Sequence, residues 1–206
     1  HAVKSVQEDA YATLKTGVQA YTSNLFLIDQ YYRKFLLHYK KTNKTGAIVG
    51  LYEKIEKVYS NDWLLRYNDN WQQLIDRVEE WPIKGLNAQA DFFEKSVKPI
   101  VQGKKQRLFV IISDALRYEC GEELSHLLNQ RDKVEAKLDY MISNLPSYTQ
   151  LGMASLLPHK ELSIQENKDI VIVDGIPSNG TPNRTKILAA NAGVRSIAMT
   201  AEELMN

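Results

Sequence analysis

The chain has 206 residues, with 26 Lys and Arg against 25 Asp and Glu, so its length suits one large domain or two small ones. A net charge near zero gives no electrostatic reason to expect binding to nucleic acid or to a membrane surface. No apolar run approaches the length of about 18 residues that a membrane-spanning helix needs. The single cysteine, Cys120, excludes an internal disulfide and fits a reducing cytoplasm.

Helical spacing dominates the first hundred residues. Apolar and aromatic side chains recur at three- and four-residue intervals over 25–39 and again over 59–81. One more helix is predicted over 91–101, ending near Pro99. We therefore predict a helical domain over residues 1–102, in which the Tyr and Trp side chains of 59–81 form either the core or a partner interface.

Strand-like and helix-like stretches alternate from residue 103 to residue 206. Helices are predicted over about 116–129, 149–157 and 183–192. Short runs rich in Val and Ile predict strands over 108–112, 137–142, 169–173 and 194–199. This alternation is typical of an α/β domain, in which helices cover a parallel sheet.

Asp114 directly follows the first predicted strand of this second domain. A carboxylate at the end of an apolar strand is costly to bury without a metal, a cation or backbone donors. Asp114 is therefore a candidate ligand for Zn2+ or Mg2+, and the alternative is a helix cap for the residues that follow. A nucleotide-binding aspartate of the Walker B type is excluded, because the chain has no GxxxxGK[ST] loop.

Thr149 follows Asp114 by 35 residues and begins a predicted helix after the turn at Pro146 and Ser147. Side chains at the carboxyl ends of parallel strands face one crevice, so an acidic ligand and a hydroxyl nucleophile can meet there. Free N–H groups at a helix start favour a negatively charged phosphoryl oxygen. The alternative is an ordinary helix cap, and Ser147 is the second candidate for the hydroxyl.

Three stretches that contain these residues resemble one family. They are SDALRYE at 113–119, LPSYTQLGMASLLP at 145–158 and DGIPSNGTPNRTKIL at 174–188. Together they are similar to the PglZ family of the alkaline phosphatase superfamily, and the resemblance covers residues 105–206. The helical first half also resembles the segment that precedes the phosphatase domain in that family.

The resemblance extends to a spacing in the wider superfamily, in which a Ser stands six positions after the nucleophilic Thr and is followed by Pro. Thr149, Ser155 and Pro158 reproduce it. The resemblance implies a two-metal phosphatase or phosphodiesterase, with Asp114 as a metal ligand and Thr149 as both nucleophile and metal ligand. It implies Zn2+ as the cofactor and a phosphoester as the substrate. It also implies a role in BREX-type bacterial phage defence, with a methyltransferase and other defence subunits as partners.

The chain departs from the superfamily pattern in its metal ligands. Members draw most of these ligands from later Asp-His and His motifs, whereas the only histidine after Thr149 is His159. Asp174 ends a predicted strand and is either a crevice residue or a turn aspartate. The chain begins at His1 instead of Met and stops within a helix-like stretch. We therefore interpret it as an inactive piece of a longer enzyme.

Other features have two readings each. Candidates for phosphate binding are Arg117, Arg184 and the loop over 178–184. The alternative is that the two arginines occupy solvated helix positions and that the loop is an ordinary turn. The competing hypothesis for the whole chain is a non-catalytic interaction module, which docks to the defence complex through aromatic side chains of 59–81. Direct DNA binding is disfavoured by the balanced charge.

Overall fold

The structure is a computed structural model that describes residues 11–102, 107–165 and 169–206. Contacts group these residues into two compact units. The first unit contains the residues up to Glu79 together with Ala115–Tyr140, and the second contains Glu80–Asp114 together with Met141–Asn206. The predicted domain boundary between residues 102 and 103 divides the chain differently and stays a prediction.

Helices make up most of the described regular structure. In chain order they are α1 (Leu14–Ala20), α2 (Phe26–Lys41), α3 (Gly46–Lys57), α4 (Arg66–Ile75), α5 (Lys98–Val101), α6 (Tyr118–Asn129), α7 (Thr149–Ser155), α8 (Thr181–Asn191) and α9 (Ala201–Met205). Wider π-helical turns adjoin them over Tyr21–Leu25, Val58–Leu65 and Phe93–Val97, and a 3-10 turn spans Gln89–Asp91. The strands are β1 (Leu162–Ile164), β2 (Val171–Val173) and β3 (Ile176–Pro177).

The first unit is helical, as the spacing of its apolar residues predicts. π-helical turns join α1 to α2 and α3 to α4, so the chain stays helical over 14–41 and over 46–75. A capping box between Thr13 and Thr16 satisfies free N–H groups where α1 starts. Buried aromatic side chains, including Tyr59 and Trp63 of the second π-helical segment, form much of the core.

The core of the second unit lies between α7, β2 and α8. Leu151 and Ala154 of α7 pack with Val171 and Val173 of β2 and with Ile187 of α8. Fully burying one such Val, Leu or Ile side chain contributes about 1.5–3 kcal/mol. This apolar packing holds α7, and with it Thr149 at its first position, against the small sheet.

The sheet of the second unit is antiparallel, with the order β1–β2–β3. Val173 pairs with Ile176 across a two-residue turn made by Asp174 and Gly175. Both turn residues have positive φ, 47° and 83° respectively. A tight hairpin turn of this kind matches the twist of its strands, and Asp-Gly is one of its preferred sequences.

The structure confirms a mixed helix and sheet fold, but the parallel sheet predicted from the alternation is not seen in the described residues. Of the four predicted strands, only 169–173 overlaps a strand, β2, and that strand pairs with antiparallel neighbours. The described part of the chain contains one isolated parallel bridge, between Ala88 and Ile142. An apolar run indicates strand character without identifying a partner, whereas the Asp-Gly turn supplies β2 with a local one.

Two further findings concern the position of Pro99 and the absence of a membrane-spanning helix among the described residues. Pro99 is the second residue of α5, and the helical stretch over 93–101 ends two residues after it, at Val101. Within the described ranges, no helix combines the length and the apolar character that are needed to cross a membrane.

Candidate functional site

The structure brings Asp114 and Thr149 together. The Thr149 hydroxyl donates to Oδ2 of Asp114 over 3.3 Å, although 35 residues separate the two in the chain. Both side chains are exposed, so a ligand can approach them from solvent. The predicted proximity is therefore found, while the roles of metal ligand and nucleophile stay predictions.

Thr149 is the first residue of α7, and the segment before this helix is tied down by backbone bonds. Ile142 donates its N–H to the carbonyl oxygen of Asn87 over 2.8 Å and accepts from the N–H of Gln89 over 2.9 Å. The indole N–H of Trp81 donates to the carbonyl oxygen of Ser143 over 2.9 Å. These bonds fix the approach of the chain to the helix that carries Thr149.

Ser155, the last residue of α7, is hydrogen-bonded to Asn144 in the segment that precedes this helix. Its side chain is fully buried; the hydroxyl donates to the carbonyl oxygen of Leu151 over 2.6 Å and accepts from the Asn144 amide over 2.7 Å. The structure thus explains why a Ser stands six positions after Thr149 in the spacing that supports the family resemblance: its buried hydroxyl bonds Leu151 and Asn144. No side chain caps the start of α7, so the alternative interpretation of Thr149 as an ordinary helix cap does not match the structure.

The backbone beside Asp114 is strained. Asp114 and Ala115 form a turn, and Ala115 has a φ of 56°. A residue with a Cβ atom rarely adopts this left-handed conformation, because the Cβ atom comes too close to the following carbonyl oxygen. Such residues persist where the surrounding structure holds them, and they cluster at functional sites.

An open depression of about 540 Å3 lies beside the hydroxyl. Its lining residues are Pro146, Tyr148, Thr149, Gln150, Ile164 and Asp169. Asp169 adds a second carboxylate to the surroundings of Thr149, and nothing in the sequence pattern singles it out. The depression offers space for a small polar group next to the Thr149 hydroxyl.

The donor atoms at this site are too few to hold Zn2+ by themselves. Asp114 offers a carboxylate and Thr149 a hydroxyl, whereas a stable zinc site needs three or four protein ligands with a supporting shell. In the residues that the structure describes, no group of three or more His, Cys, Asp or Glu side chains is placed to hold a metal ion. The pair therefore fits part of a metal site and does not complete one.

Asp174 lies in the hairpin turn and serves the architecture of the second unit. Its carboxylate accepts from the backbone N–H groups of Lys160 and Glu161 and from the Asn191 amide, at 2.8–3.1 Å. Partial burial alone would raise the pKa of Asp174, but these hydrogen bonds and the nearby His159 hold it below its usual value of 3.8. The turn interpretation of Asp174 matches these contacts.

His159 and the loop over 178–184 also make local contacts. The His159 ring lies with Nδ1 2.6 Å from the carbonyl oxygen of Leu157. Arg184 donates from Nε to the carbonyl oxygen of Ser178 over 3.0 Å. These contacts match the interpretation of 178–184 as an ordinary turn, and they give His159 a local contact within its loop.

Asp29 is the centre of a polar cluster in the first unit that the sequence pattern did not predict. Its carboxylate is 5% exposed and accepts from the hydroxyls of Tyr21 and Tyr59 over 2.5 and 2.9 Å and from the Trp63 indole over 3.2 Å. Arg117, one of the candidates for phosphate binding, pairs with the same carboxylate over 3.1 Å. Burial, followed by the bond to Asp29, raises the pKa of Tyr21.

The first turn of α6 carries a second buried carboxylate. Glu119 is fully buried and accepts from Nε of Arg33 at 2.8 and 3.0 Å. Arg33 also bonds Glu123, and the Gln30 amide donates to the carbonyl oxygen of Glu119 and to the Glu122 carboxylate. The sequence offered one hint of this cluster, namely that Arg33 follows Gln30 by three residues and Asp29 by four, which is the spacing of one helix face.

The aromatic stripe of 59–81 is part of the core in its central portion. Tyr59 and Trp63 are buried, at 8% and 3% exposure, and both bond Asp29. Tyr67, Trp71 and Trp81 are half-buried. Because the structure exposes none of the Tyr or Trp side chains of this range, the interface interpretation has less support than the core interpretation.

Comparison with known proteins gives the family. The model of the BREX system PglZ alkaline phosphatase-like domain matches residues 92–206. This chain belongs to the PglZ family. The match covers more than half of the chain and includes both Asp114 and Thr149, as well as the three stretches on which the resemblance rests.

Two curated relatives extend the similarity into the helical first half. The alkaline phosphatase-like protein BrxZ of Escherichia coli O9:H4 (strain HS) is 41% identical over 203 residues, or 95% of this chain and 24% of that protein. The alkaline phosphatase-like protein PglZ of Bacillus cereus (strain H3081.97) is 39% identical over 173 residues, or 83% of this chain and 20% of that protein. The chain thus spans a fifth to a quarter of their length. No solved structure matched it.

Proposed function

We propose that this chain carries the nucleophile of a metal-dependent phosphatase or phosphodiesterase that acts in a BREX-type defence system. The observation that carries the proposal is the 3.3 Å contact between the hydroxyl of Thr149 and Oδ2 of Asp114. Membership of an alkaline phosphatase-like family supports a hydrolase of this type. The depression beside Thr149 gives the substrate phosphoryl group a place to bind.

The proposed chemistry starts at the Thr149 oxygen. The hydroxyl gives its proton to solvent and its oxygen attacks phosphorus while the bond from phosphorus to the leaving oxygen breaks. The leaving oxygen takes up a proton from water, and the phosphoryl group stays on Thr149 until a second water molecule removes it. Asp114 orients the hydroxyl by accepting its hydrogen bond. Two Zn2+ ions, when bound, would lower the pKa of the hydroxyl and neutralise charge on the leaving oxygen.

The remaining metal ligands are assigned to the rest of a longer protein. This assignment rests on the small donor set of Asp114 and Thr149 and on the length of the two relatives, which is about four times that of this chain. It implies that the 206-residue chain alone is inactive.

We assign the apolar run at 108–112, which has no strand partner among the described residues, to a parallel sheet that the longer protein completes. All five side chains of this run are at least 36% exposed, which is unusual for five consecutive apolar residues. An extended segment without a partner leaves its backbone groups available to another strand.

The proposed partners are a phosphoester substrate and the other subunits of the BREX system, including a methyltransferase. We place the protein in the cytoplasm, which suits its single free cysteine. The balanced charge argues against direct binding to nucleic acid.

The test is hydrolysis of a chromogenic phosphodiester with added Zn2+. It compares the 206-residue chain, a version extended to the length of the relatives, and the extended version with Thr149→Ala. The expected result is activity in the extended wild type alone. Equal activity with and without Thr149, or no activity and no bound zinc in the extended wild type, would overturn the proposal.

A further inference from the structure

One stretch of the first unit carries positive charge without any negative charge. Residues 30–52 contain five Lys and Arg and no Asp or Glu, although the whole chain has nearly equal numbers of basic and acidic residues. The stretch covers most of α2, the connection over 42–45 and the first half of α3. The balanced net charge of the chain therefore conceals a local excess of positive charge.

Two of these five cations are paired within the first unit, and the other three face solvent. Arg33 and Lys34 form ion pairs with carboxylates of α6. No ion pair links Lys40, Lys41 or Lys44 to another residue that the structure describes. All three side chains are exposed, so their charge is available to a partner.

The end of a helix explains only part of this lysine cluster. Lys40 and Lys41 lie in the last turn of α2, where a positive charge interacts favourably with the helix dipole. Lys44 lies beyond the helix, and the dipole does not account for the lack of acidic residues over 30–52. The dipole alone therefore does not explain the cluster.

Stacked aromatic rings hold the end of α2 against α3. The rings of Tyr39 and Tyr52 are nearly parallel, with an angle of 8° and centroids 4.4 Å apart. The ammonium group of Lys44 lies 5.6 Å from the centroid of the Tyr39 ring. Aromatic and cation–π contacts of this kind stabilise one arrangement of the connection and its lysines.

Exposed leucines accompany the three lysines. Leu37 is 48% exposed and precedes Lys40 and Lys41 by three and four residues, which places all three on one face of α2. Leu51 of α3 is 51% exposed and directly precedes Tyr52. A nucleic-acid backbone offers phosphates and sugars, whereas an amphipathic acidic helix offers both carboxylates and apolar side chains. The lysines and leucines together therefore favour a protein partner.

We propose that the surface formed by Leu37, Lys40, Lys41, Lys44 and Leu51, which we call the basic surface, binds an acidic amphipathic helix of a partner protein. Carboxylates of that helix pair with the three lysines, and its apolar side chains cover the two leucines. The basic surface is independent of the proposed hydrolase site, because all of its residues belong to the first unit and the hydrolase pair belongs to the second.

The first experiment measures binding of labelled probes to the 206-residue chain by fluorescence anisotropy. The probes are a synthetic helical peptide with Glu on one face and Leu on the other, a scrambled peptide of the same composition, and duplex DNA. We expect the amphipathic peptide to bind at least about tenfold more tightly than the other two, with an affinity that falls as salt rises. No binding of the amphipathic peptide, or equal binding of either other probe, would overturn the proposal.

Two double variants with the same change of net charge locate the contact. Lys40→Glu with Lys41→Glu reverses charges of the basic surface, and Lys15→Glu with Lys137→Glu reverses two other exposed lysines of the first unit. We expect the first pair to weaken peptide binding about tenfold or more and the second to change it less than about twofold, because salt screens distant exposed charges. Equal weakening by both pairs would show that net charge alone attracts the peptide and would overturn the proposal.

Leu37→Ser tests the apolar part of the basic surface while its charge stays the same. We expect binding of the amphipathic peptide to weaken about fivefold, because an apolar contact is lost. The salt dependence should be unchanged, since the three lysines remain. Binding equal to that of the wild type would overturn the assignment of an amphipathic partner.

The second experiment maps the contact in the extended protein purified with the other subunits of its BREX system. A carbodiimide reagent joins a lysine directly to a carboxylate that lies against it. We expect cross-links from Lys40, Lys41 or Lys44 to Asp or Glu residues of another subunit. A complex in which none of these three lysines is cross-linked would overturn the proposal. If no subunit co-purifies, the proposed defence partners fail, and the peptide measurements decide whether the basic surface binds an acidic helix.

Discussion

Two polar sites in this chain differ in how completely their groups are satisfied. The Asp29 carboxylate is buried and receives four donors, and Glu119 is buried against Arg33. The Asp114 carboxylate is exposed, and the contact found for it is the 3.3 Å bond from Thr149. The contacts of Asp29 and Glu119 are those of a structural site, whereas Asp114 keeps coordination positions open for a ligand.

The difference shows that a buried carboxylate and an exposed one have different capacities to bind a ligand. A buried charge with all of its partners present has no capacity left to bind anything else. The exposed pair has that capacity, because each carboxylate oxygen and the hydroxyl retain lone pairs that face solvent. This difference supports the proposal that Thr149 and Asp114 carry the chemistry, whereas the contacts of Asp29 and Glu119 stabilise the fold.

The largest expected effect is on stability, at the buried pair. Arg33→Ala should lower the free energy of unfolding by about 3–5 kcal/mol, because Glu119 would be left as an uncompensated buried charge. Denaturant unfolding measures the change. Lys34→Ala is the matched control on the same helix; its pair with Glu123 is partly exposed at both ends, so its cost should stay below about 1 kcal/mol. Equal costs would remove the distinction between the two pairs.

An intermediate effect is expected within α7, which carries both kinds of residue. Ser155→Ala should lower the free energy of unfolding by about 1–3 kcal/mol, since the partly buried Asn144 amide loses its acceptor. Thr149→Ala should change it by no more than about 0.5 kcal/mol, because Thr149 is exposed. A larger cost for Thr149→Ala than for Ser155→Ala would mean that Thr149 has a structural role.

The smallest effect is a pH dependence at Asp174. Hydrogen bonds hold its pKa in the folded state below 3.8, so the charged form contributes stability above that value and the contribution is lost as the pH falls through the folded-state pKa. The stability difference between wild type and Asp174→Asn should therefore be constant near neutral pH and shrink below about pH 4. A difference that grows on acidification would contradict the assigned contacts.

The sequence predicted the contact between Asp114 and Thr149 but not the means by which it forms. Both residues stand beside recognisable motifs, and the helix that begins at Thr149 is present as predicted. The predicted strand at 108–112 does not pair in the described residues, because strand pairing depends on a partner that an apolar run cannot identify. Local signals did identify the turn, where Asp174 and Gly175 carry the positive φ values that their residue types favour.

The Asp29 cluster escaped prediction for a different physical reason. Arg117 lies 88 residues after Asp29 in the chain, and charged residues on a helix are most often solvated, so their spacing alone does not distinguish a buried pair from an exposed one. The aromatic stripe of 59–81 left core and interface open, and the bonds from Tyr59 and Trp63 to Asp29 favour the core. Pairing between polar groups that lie far apart in the chain could not be predicted from local sequence patterns.

The most direct test of the central claim is the zinc stoichiometry, measured by titration calorimetry. It compares the 206-residue chain, the extended protein and the extended protein with Asp114→Ala. We expect no tight binding to the short chain, two Zn2+ ions per extended wild-type molecule, and loss of at least one of them in Asp114→Ala. Extended wild type that binds no zinc, or Asp114→Ala that binds as much zinc as wild type with the same affinity, would contradict the claim.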